Sequence, residues 1–142
     1  EAMAARINDK SYRVFVIMGD GECDEGSCWE AFMAAKQYKL NNLVLFIDKN
    51  GFQSDGAVEG IMSINLASAL KAFGWNVYEV DGHDTDVLFD TTINALENKD
   101  APSVIIADTV KGKGVSFMEN NNSWHHGHLS QDQYEQSIKE LK

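Results

Sequence analysis

Positive charge is what this sequence has least of. Its 12 lysines and arginines face 22 aspartates and glutamates, giving a net charge of −10 over 142 residues. No basic stripe is available to neutralise phosphates, which excludes sequence-independent nucleic-acid binding. The short KGKG block at 111–114 is too small to reverse that. Cysteine is scarce as well: Cys23 and Cys28, with four residues between them, make a poor structural staple. A reduced, cytoplasmic protein is the simplest setting for such a chain. No apolar run approaches the length that crosses a bilayer, and no secretory leader pattern is present, so no membrane partner is expected. The opening EAMAARINDK lacks both an initiator methionine and a helix cap, while Met3, Ala4 and Ile7 can share one helical face. We therefore expect a fragment that starts inside a helix, so the missing targeting segment carries little weight.

Against these absences stands an apolar content of 44%, arranged in regular runs and sufficient for one ordinary core. The runs YRVFVIM (12–18) and LVLFID (43–48) are short, rich in branched residues and suited to strands buried on both faces. Between them SCWEAFMAAKQYK reads as a helix. Ser27 and Glu30 fit a capping box there, and Trp29, Phe32, Met33 and Lys36 follow helical spacing. A second helix is predicted over about 65–73, closed by Gly74 as a left-handed cap. A strand at WNVYEV (75–80), a helix over 85–97 and a strand at SVIIADT (103–109) follow. Residues 110–129 are loop-like and rich in Gly, Asn and His; a last helix follows, with Ser130 and Gln133 as another candidate capping box. Strands separated by helices of this length predict an α/β fold, a mainly parallel sheet with right-handed crossovers and helices on both faces.

In such a sheet, ligands bind beyond the carboxyl ends of the strands. Two loops fall there, GDGECDEG (19–26) and DKNGFQSDG (48–56). A glycine-rich turn between strand and helix suits a phosphate, yet this one carries Asp20, Glu22, Asp24 and Glu25. A carboxylate and a phosphate ~4 Å apart repel by roughly 4 kcal/mol per charge pair at an effective dielectric near 20. A divalent cation between them reverses the sign. If the first two strands are neighbours, Asp20 and Asn50 offer oxygens to one ion. The bend at Gly51 can turn a backbone carbonyl, such as that of Phe52, toward the same point. Such donors suit Mg²⁺ or Ca²⁺, and Mg²⁺ is commonly completed by phosphate oxygens and water.

Other motif readings do worse. An EF-hand loop starting at Asp20 needs Gly at its sixth position and Glu at its twelfth, where the chain has Glu25 and Ala31. The glycines at 19, 21 and 26 are spaced wrongly for a dinucleotide fingerprint. Cys23 and Cys28 have no histidine nearer in sequence than His83 to complete a zinc site.

Gly19-Asp20-Gly21, a spacer of just under thirty residues and then Lys49-Asn50 resembles the thiamine-diphosphate motif. Five segments in order, GDGECDEGSCWEA, DKNGFQSDG, AFGW, DGHD and TVKGKGVSFME, are similar to the transketolase family over nearly the whole chain. The resemblance implies the thiamine-diphosphate-binding fold. It places residues 1–142 in the C-terminal part of the diphosphate-binding domain, without the upstream segment, the pyrimidine-binding domain or the C-terminal domain. The split type, in which this domain belongs to a separate shorter polypeptide, fits best. By the same resemblance, Asp20, Asn50 and the Phe52 carbonyl hold the Mg²⁺ (or Ca²⁺) that grips the diphosphate of thiamine diphosphate. Gly19 and Gly21 let the backbone approach the cofactor closely. Glu25 matches a family glutamate at the dimer interface, within a carboxylate network linking two active sites. In SWHHGHL, His126 matches the family histidine near the diphosphate and the substrate, which binds cofactor and takes part in catalysis; His125 is the alternative register. Glu22 and Asp24 match no family role. His83 reads as part of a strand-end turn in which Asp84 caps the next helix, and Lys111 and Lys113 read as solvated.

The implied activity is transfer of a two-carbon ketol unit from a ketose phosphate to an aldose phosphate, in pentose-phosphate metabolism. The glutamate that activates the cofactor's aminopyrimidine lies, in this family, on the other domain, and no segment here corresponds to it. We therefore expect a partner subunit carrying the pyrimidine-binding domain, a dimer of such units (a heterotetramer) and no activity from this chain alone. Two alternatives stand beside this reading. One is another thiamine-diphosphate enzyme, such as 1-deoxyxylulose-5-phosphate synthase or a 2-oxoacid dehydrogenase component. The other is a non-catalytic module that retains the fold; the intact Asp20 and Asn50 argue against it.

Overall fold

The alternation of branched runs and helical segments produces an α/β layer structure in the computed structural model, which describes residues 1–142. Its strands are β1 (Val14–Gly19), β2 (Leu43–Lys49), the two-residue β3 (Phe52–Gln53) and β4 (Gly56–Ala57), β5 (Asn76–Asp81) and β6 (Ser103–Asp108). Its helices are α1 (Ala2–Ile7), α2 (Gly26–Gln37), α3 (Val58–Ile61), α4 (Leu66–Ala72), α5 (Thr85–Glu97) and α6 (Gln131–Glu140). The four longer strands form one parallel sheet in the order β1-β2-β6-β5, while β3 and β4 make a small antiparallel hairpin. The registers place Gly19, Asp48 and Ala107 in one row at the carboxyl end of the sheet.

The period-2 alternation of the strands divides the core between two faces. On one face Met18, Leu45, Ile47, Val104 and Ile106 pack against Phe32 and Ala35 of α2 and Ala67 and Leu70 of α4. Edge-to-face aromatic contacts at 5.7–5.9 Å link Trp29 to Phe32 and Phe73, and Phe32 to Trp75. Such pairs add about 0.5–1.5 kcal/mol each beyond their burial. The indole of Trp75 donates to the Phe32 carbonyl at 3.0 Å, so its buried N–H is satisfied. On the opposite face Val44 and Ile105 meet Ala95 of α5, flanked by Phe46, Tyr78, Leu88 and Leu96.

Helix signals in the sequence are used unevenly. Asp84 caps α5 by accepting from the amides of Asp86 and Val87, and Ser130 with Gln133 forms a complete capping box on α6. Gly74 takes a positive φ of 85° after α4, as its capping role requires. The capping box predicted for Ser27 and Glu30 does not form. A 3₁₀ turn over Gly21–Asp24 carries the chain straight into α2, so the cap position falls at Glu25 and Ser27 lies already inside the first turn. The N-terminal helix exists, but its buried residues are Ala2 and Ala5, whereas Met3 and Ile7 of the expected apolar face are exposed. No helix is long and apolar enough to cross a membrane.

Candidate functional site

Because β1 and β2 are neighbours in register, the loops leaving their carboxyl ends lie side by side. Asp20 is the first residue after β1, and its side chain is turned inward, only 5% exposed. Its Oδ1 accepts the Gly21 amide at 3.0 Å and its Oδ2 accepts the Gly51 amide at 2.8 Å. The second bond ties one loop directly to the other. Asn50 donates from Nδ2 to Asp48 Oδ2 at 3.2 Å, and its Oδ1 accepts the Phe52 amide at 3.0 Å. Gly51 supplies the bend between them at φ 79°, a conformation that suits glycine. The two loops border a cleft of about 430 Å³ whose wall includes Asp20, Lys49, Asn50, Gly51, Ser63 and Asp108.

Burial pushes the Asp20 carboxyl above its ordinary pKa, and the nearby Asp48 charge adds to this; the amides of Gly51 and Gly21 act in the opposite direction. The two ion pairs of the molecule, Lys49–Asp108 at 2.8 Å and Lys71–Glu79 at 3.1 Å, leave Asp20 without a basic partner. A buried carboxylate held by two amides and no counter-ion is a favourable place for a cation. Each carboxylate oxygen and the Asn50 oxygen have acceptor capacity beyond the single bond they make. These are hard oxygen donors, and no group of three or more His, Cys, Asp or Glu side chains converges anywhere in the chain. The set fits Mg²⁺ or Ca²⁺ and does not fit zinc. The cysteines are engaged elsewhere: buried Cys23 donates to the Gly19 carbonyl at 3.5 Å and Cys28 to the Glu22 carbonyl at 3.3 Å.

The remaining acids of the first loop separate cleanly. Glu22 accepts the Gly19 amide at 3.1 Å, closing the turn on itself. Asp24 accepts from the Gln53 side chain at 3.1 Å and so fastens the turn to the β3–β4 hairpin. Glu25 makes no capping bond and is exposed. Gly21 is demanded by that same hairpin, since a Cβ there would fall 2.5 Å from Gln53 Cβ. A Cβ at Gly19 would meet nothing within 4 Å, so the space beside it is open.

The histidine loop is brought to the same hairpin. Its 3₁₀ turn, Asn122–His125, is tied to it by a 3.3 Å bond from Asn122 Nδ2 to the Ser54 carbonyl. His125 is half-buried, with Nδ1 unpartnered, and burial together with Lys111 and His126 lowers its pKa. His126 is exposed and stacks edge-on against His125, with ring centroids 4.7 Å apart. His83 lies apart from the cleft wall as a turn residue, its Nε2 accepting the Val110 amide at 2.8 Å. Sequence reasoning missed Asp48, Thr109 and Gln53, whose contacts reach across strands and depend on the strand order.

Residues 3–141 match the family described as transketolase, thiamine diphosphate binding domain. The chain belongs to this family. An apulose-4-phosphate transketolase subunit of Phocaeicola vulgatus is 43% identical to it over 141 residues, covering 99% of this chain and 50% of that protein. The 6-deoxy-6-sulfo-D-fructose transketolase subunit SqwG of a Clostridium species is 36% identical, covering 99% of this chain and 52% of its own length. Among solved structures, transketolase from Campylobacter jejuni superposes with a TM-score of 0.93 at 26% identity, over 99% of this chain and 23% of that one. The parallel sheet with its flanking helices is thus the thiamine-diphosphate-binding fold of the transketolases. The chain spans about half the length of the subunit relatives it matches.

Proposed function

We propose that this chain supplies the diphosphate-binding half of a two-subunit transketolase, which moves a two-carbon ketol unit from a ketose to an aldose phosphate. The observation that carries this reading is the convergence of Asp20 and Asn50, linked through Gly51, around a buried carboxylate that lacks a basic partner. In this reading Asp20, Asn50 and the Phe52 carbonyl hold Mg²⁺ (or Ca²⁺), and the metal holds the diphosphate of thiamine diphosphate. When bound, the cofactor supplies a nucleophilic carbon and an electron sink for cleavage of the donor's carbon–carbon bond. Gly19 keeps the backbone bare where the diphosphate approaches, and Gly21 lets the turn close against Gln53 of the hairpin, which sets the loop's path beside it. His126, with His125 beside it, hydrogen-bonds the donor or moves a proton at its hydroxyl groups. Glu25, exposed on the turn, meets a second copy of the unit in this reading.

The cofactor's pyrimidine half-site comes from a partner polypeptide, and a pair of such units makes the complete cytoplasmic enzyme. Relatives named for apulose-4-phosphate and for 6-deoxy-6-sulfo-D-fructose broaden the donor class to ketoses with an anionic substituent, beyond the pentose-phosphate sugars. Reconstitution with a pyrimidine-domain partner tests the proposal. Ketol transfer between sugar phosphates in the mixture, with none from either component on its own, is the expected result. Pyruvate decarboxylation without ketol transfer would overturn it.

A further inference from the structure

Three segments meet on Asp48, a side chain that the proposed reaction leaves unused. Its backbone carbonyl accepts the Asp20 amide at 3.1 Å. Its Oδ2 accepts from Asn50 Nδ2 at 3.2 Å, and its Oδ1 accepts the hydroxyl of Thr109, the first residue beyond β6. An asparagine can turn either its oxygen or its NH₂ toward a cleft, and only the oxygen ligates a cation. An ionised carboxylate only accepts hydrogen bonds, so Asp48 admits one orientation, with the NH₂ toward itself and Oδ1 on the other side. The Phe52 amide on Oδ1 selects the same orientation.

We infer that Asp48, locked by Thr109, is the positioning residue of the metal site: it fixes the Asn50 amide with its oxygen available to the cation. This rests on the reading of Asp20 and Asn50 as metal ligands. Mg²⁺ demands near-ideal octahedral geometry, whereas Ca²⁺ accepts irregular shells. A loosened Asn50 therefore weakens Mg²⁺ binding more than Ca²⁺ binding, which a purely structural role for Asp48 would not do.

The test is calorimetric titration of the chain, assembled with its partner, with Mg²⁺ and separately with Ca²⁺ in the presence of thiamine diphosphate. Partners behind metal ligands typically change metal affinity by about 10–100-fold. Asp48→Ala is expected toward the upper end of that range for Mg²⁺, and Thr109→Val toward the lower end. Both should lose less for Ca²⁺, and Thr109→Ser, which keeps the hydroxyl, should restore Mg²⁺ affinity. Asp20→Ala is the control. Wild-type Mg²⁺ affinity in that variant would defeat the ligand reading and this inference with it. Loss in Asp20→Ala beside wild-type affinity in folded Thr109→Val and Asp48→Ala would overturn this inference alone. Equal losses for the two ions, with no rescue by Thr109→Ser, would also overturn it.

Discussion

The carboxyl end of β1 and its outer edge belong to one strand and are finished in opposite ways. At the carboxyl end the polar groups satisfy one another: Glu22 takes the Gly19 amide, Asp20 takes those of Gly21 and Gly51, and Asp24 takes the Gln53 side chain. What is left over there is the buried Asp20 charge, which has no basic partner. Along the outer edge β1 has no neighbouring strand, and Phe15, Val16 and Ile17 are 51%, 40% and 77% exposed. An apolar hollow of about 330 Å³ opens beside it, lined by Val16, Met18, Cys28, Phe32 and Trp75. Parallel sheets normally bury both faces, and an apolar edge is a template for pairing. The polar groups of the site are therefore satisfied within this chain, by the two adjacent loops and by Thr109 beyond β6, whereas the apolar residues of the edge strand stay exposed.

Four substitutions test this contrast. Among these the largest effect is expected at Asn50→Ala, which removes the proposed ligand oxygen together with the bonds to Asp48 and Phe52. Metal-dependent cofactor binding in the assembled enzyme, followed by tryptophan fluorescence, should weaken beyond the ~100-fold that outer-shell changes reach. Gly21→Ala comes next. Its Cβ would collide with Gln53 Cβ at 2.5 Å, and overpacking of this kind costs about 1–3 kcal/mol, readable as a lower denaturant midpoint. Asp24→Ala removes the tether from the turn to the hairpin. A loss of about 1 kcal/mol, with faster amide exchange over 52–57, is expected. The smallest effect belongs to the edge: Ile17→Thr should change the stability of this chain by no more than ~0.5 kcal/mol while reducing self-association in light scattering. A loss well above that figure would mean the edge is packed, and the contrast would fail.

Much of this was legible in the sequence because its signals are local. Branched runs marked the four long strands, Asp84 and Gly74 marked helix ends, and the pattern put Asp20 and Asn50 at the carboxyl ends of the first two strands, whose adjacency the structure supplies. What was not legible depends on distance or on marginal local energies. Asp48 acquires its role from Thr109, 61 residues away, and that pairing exists only because β6 lies beside β2. Glu22 and Asp24 looked superfluous until the turn and the hairpin supplied their donors. The hairpin has two residues in each strand, too few for any periodicity to reveal it. Ser27 carried a valid capping pattern that the preceding 3₁₀ turn overrode, and the α1 face turned on two alanines, whose apolar signal is weaker than that of Met3 or Ile7.

The Asp20 carboxylate is the centre of the proposed metal site. Thiamine diphosphate binding should be measured calorimetrically on the assembled enzyme, with and without Mg²⁺, for the wild type and for Asp20→Ala. Binding that requires Mg²⁺ in the wild type and is lost in Asp20→Ala is the predicted result; Mg²⁺-dependent binding of undiminished affinity in Asp20→Ala would contradict it.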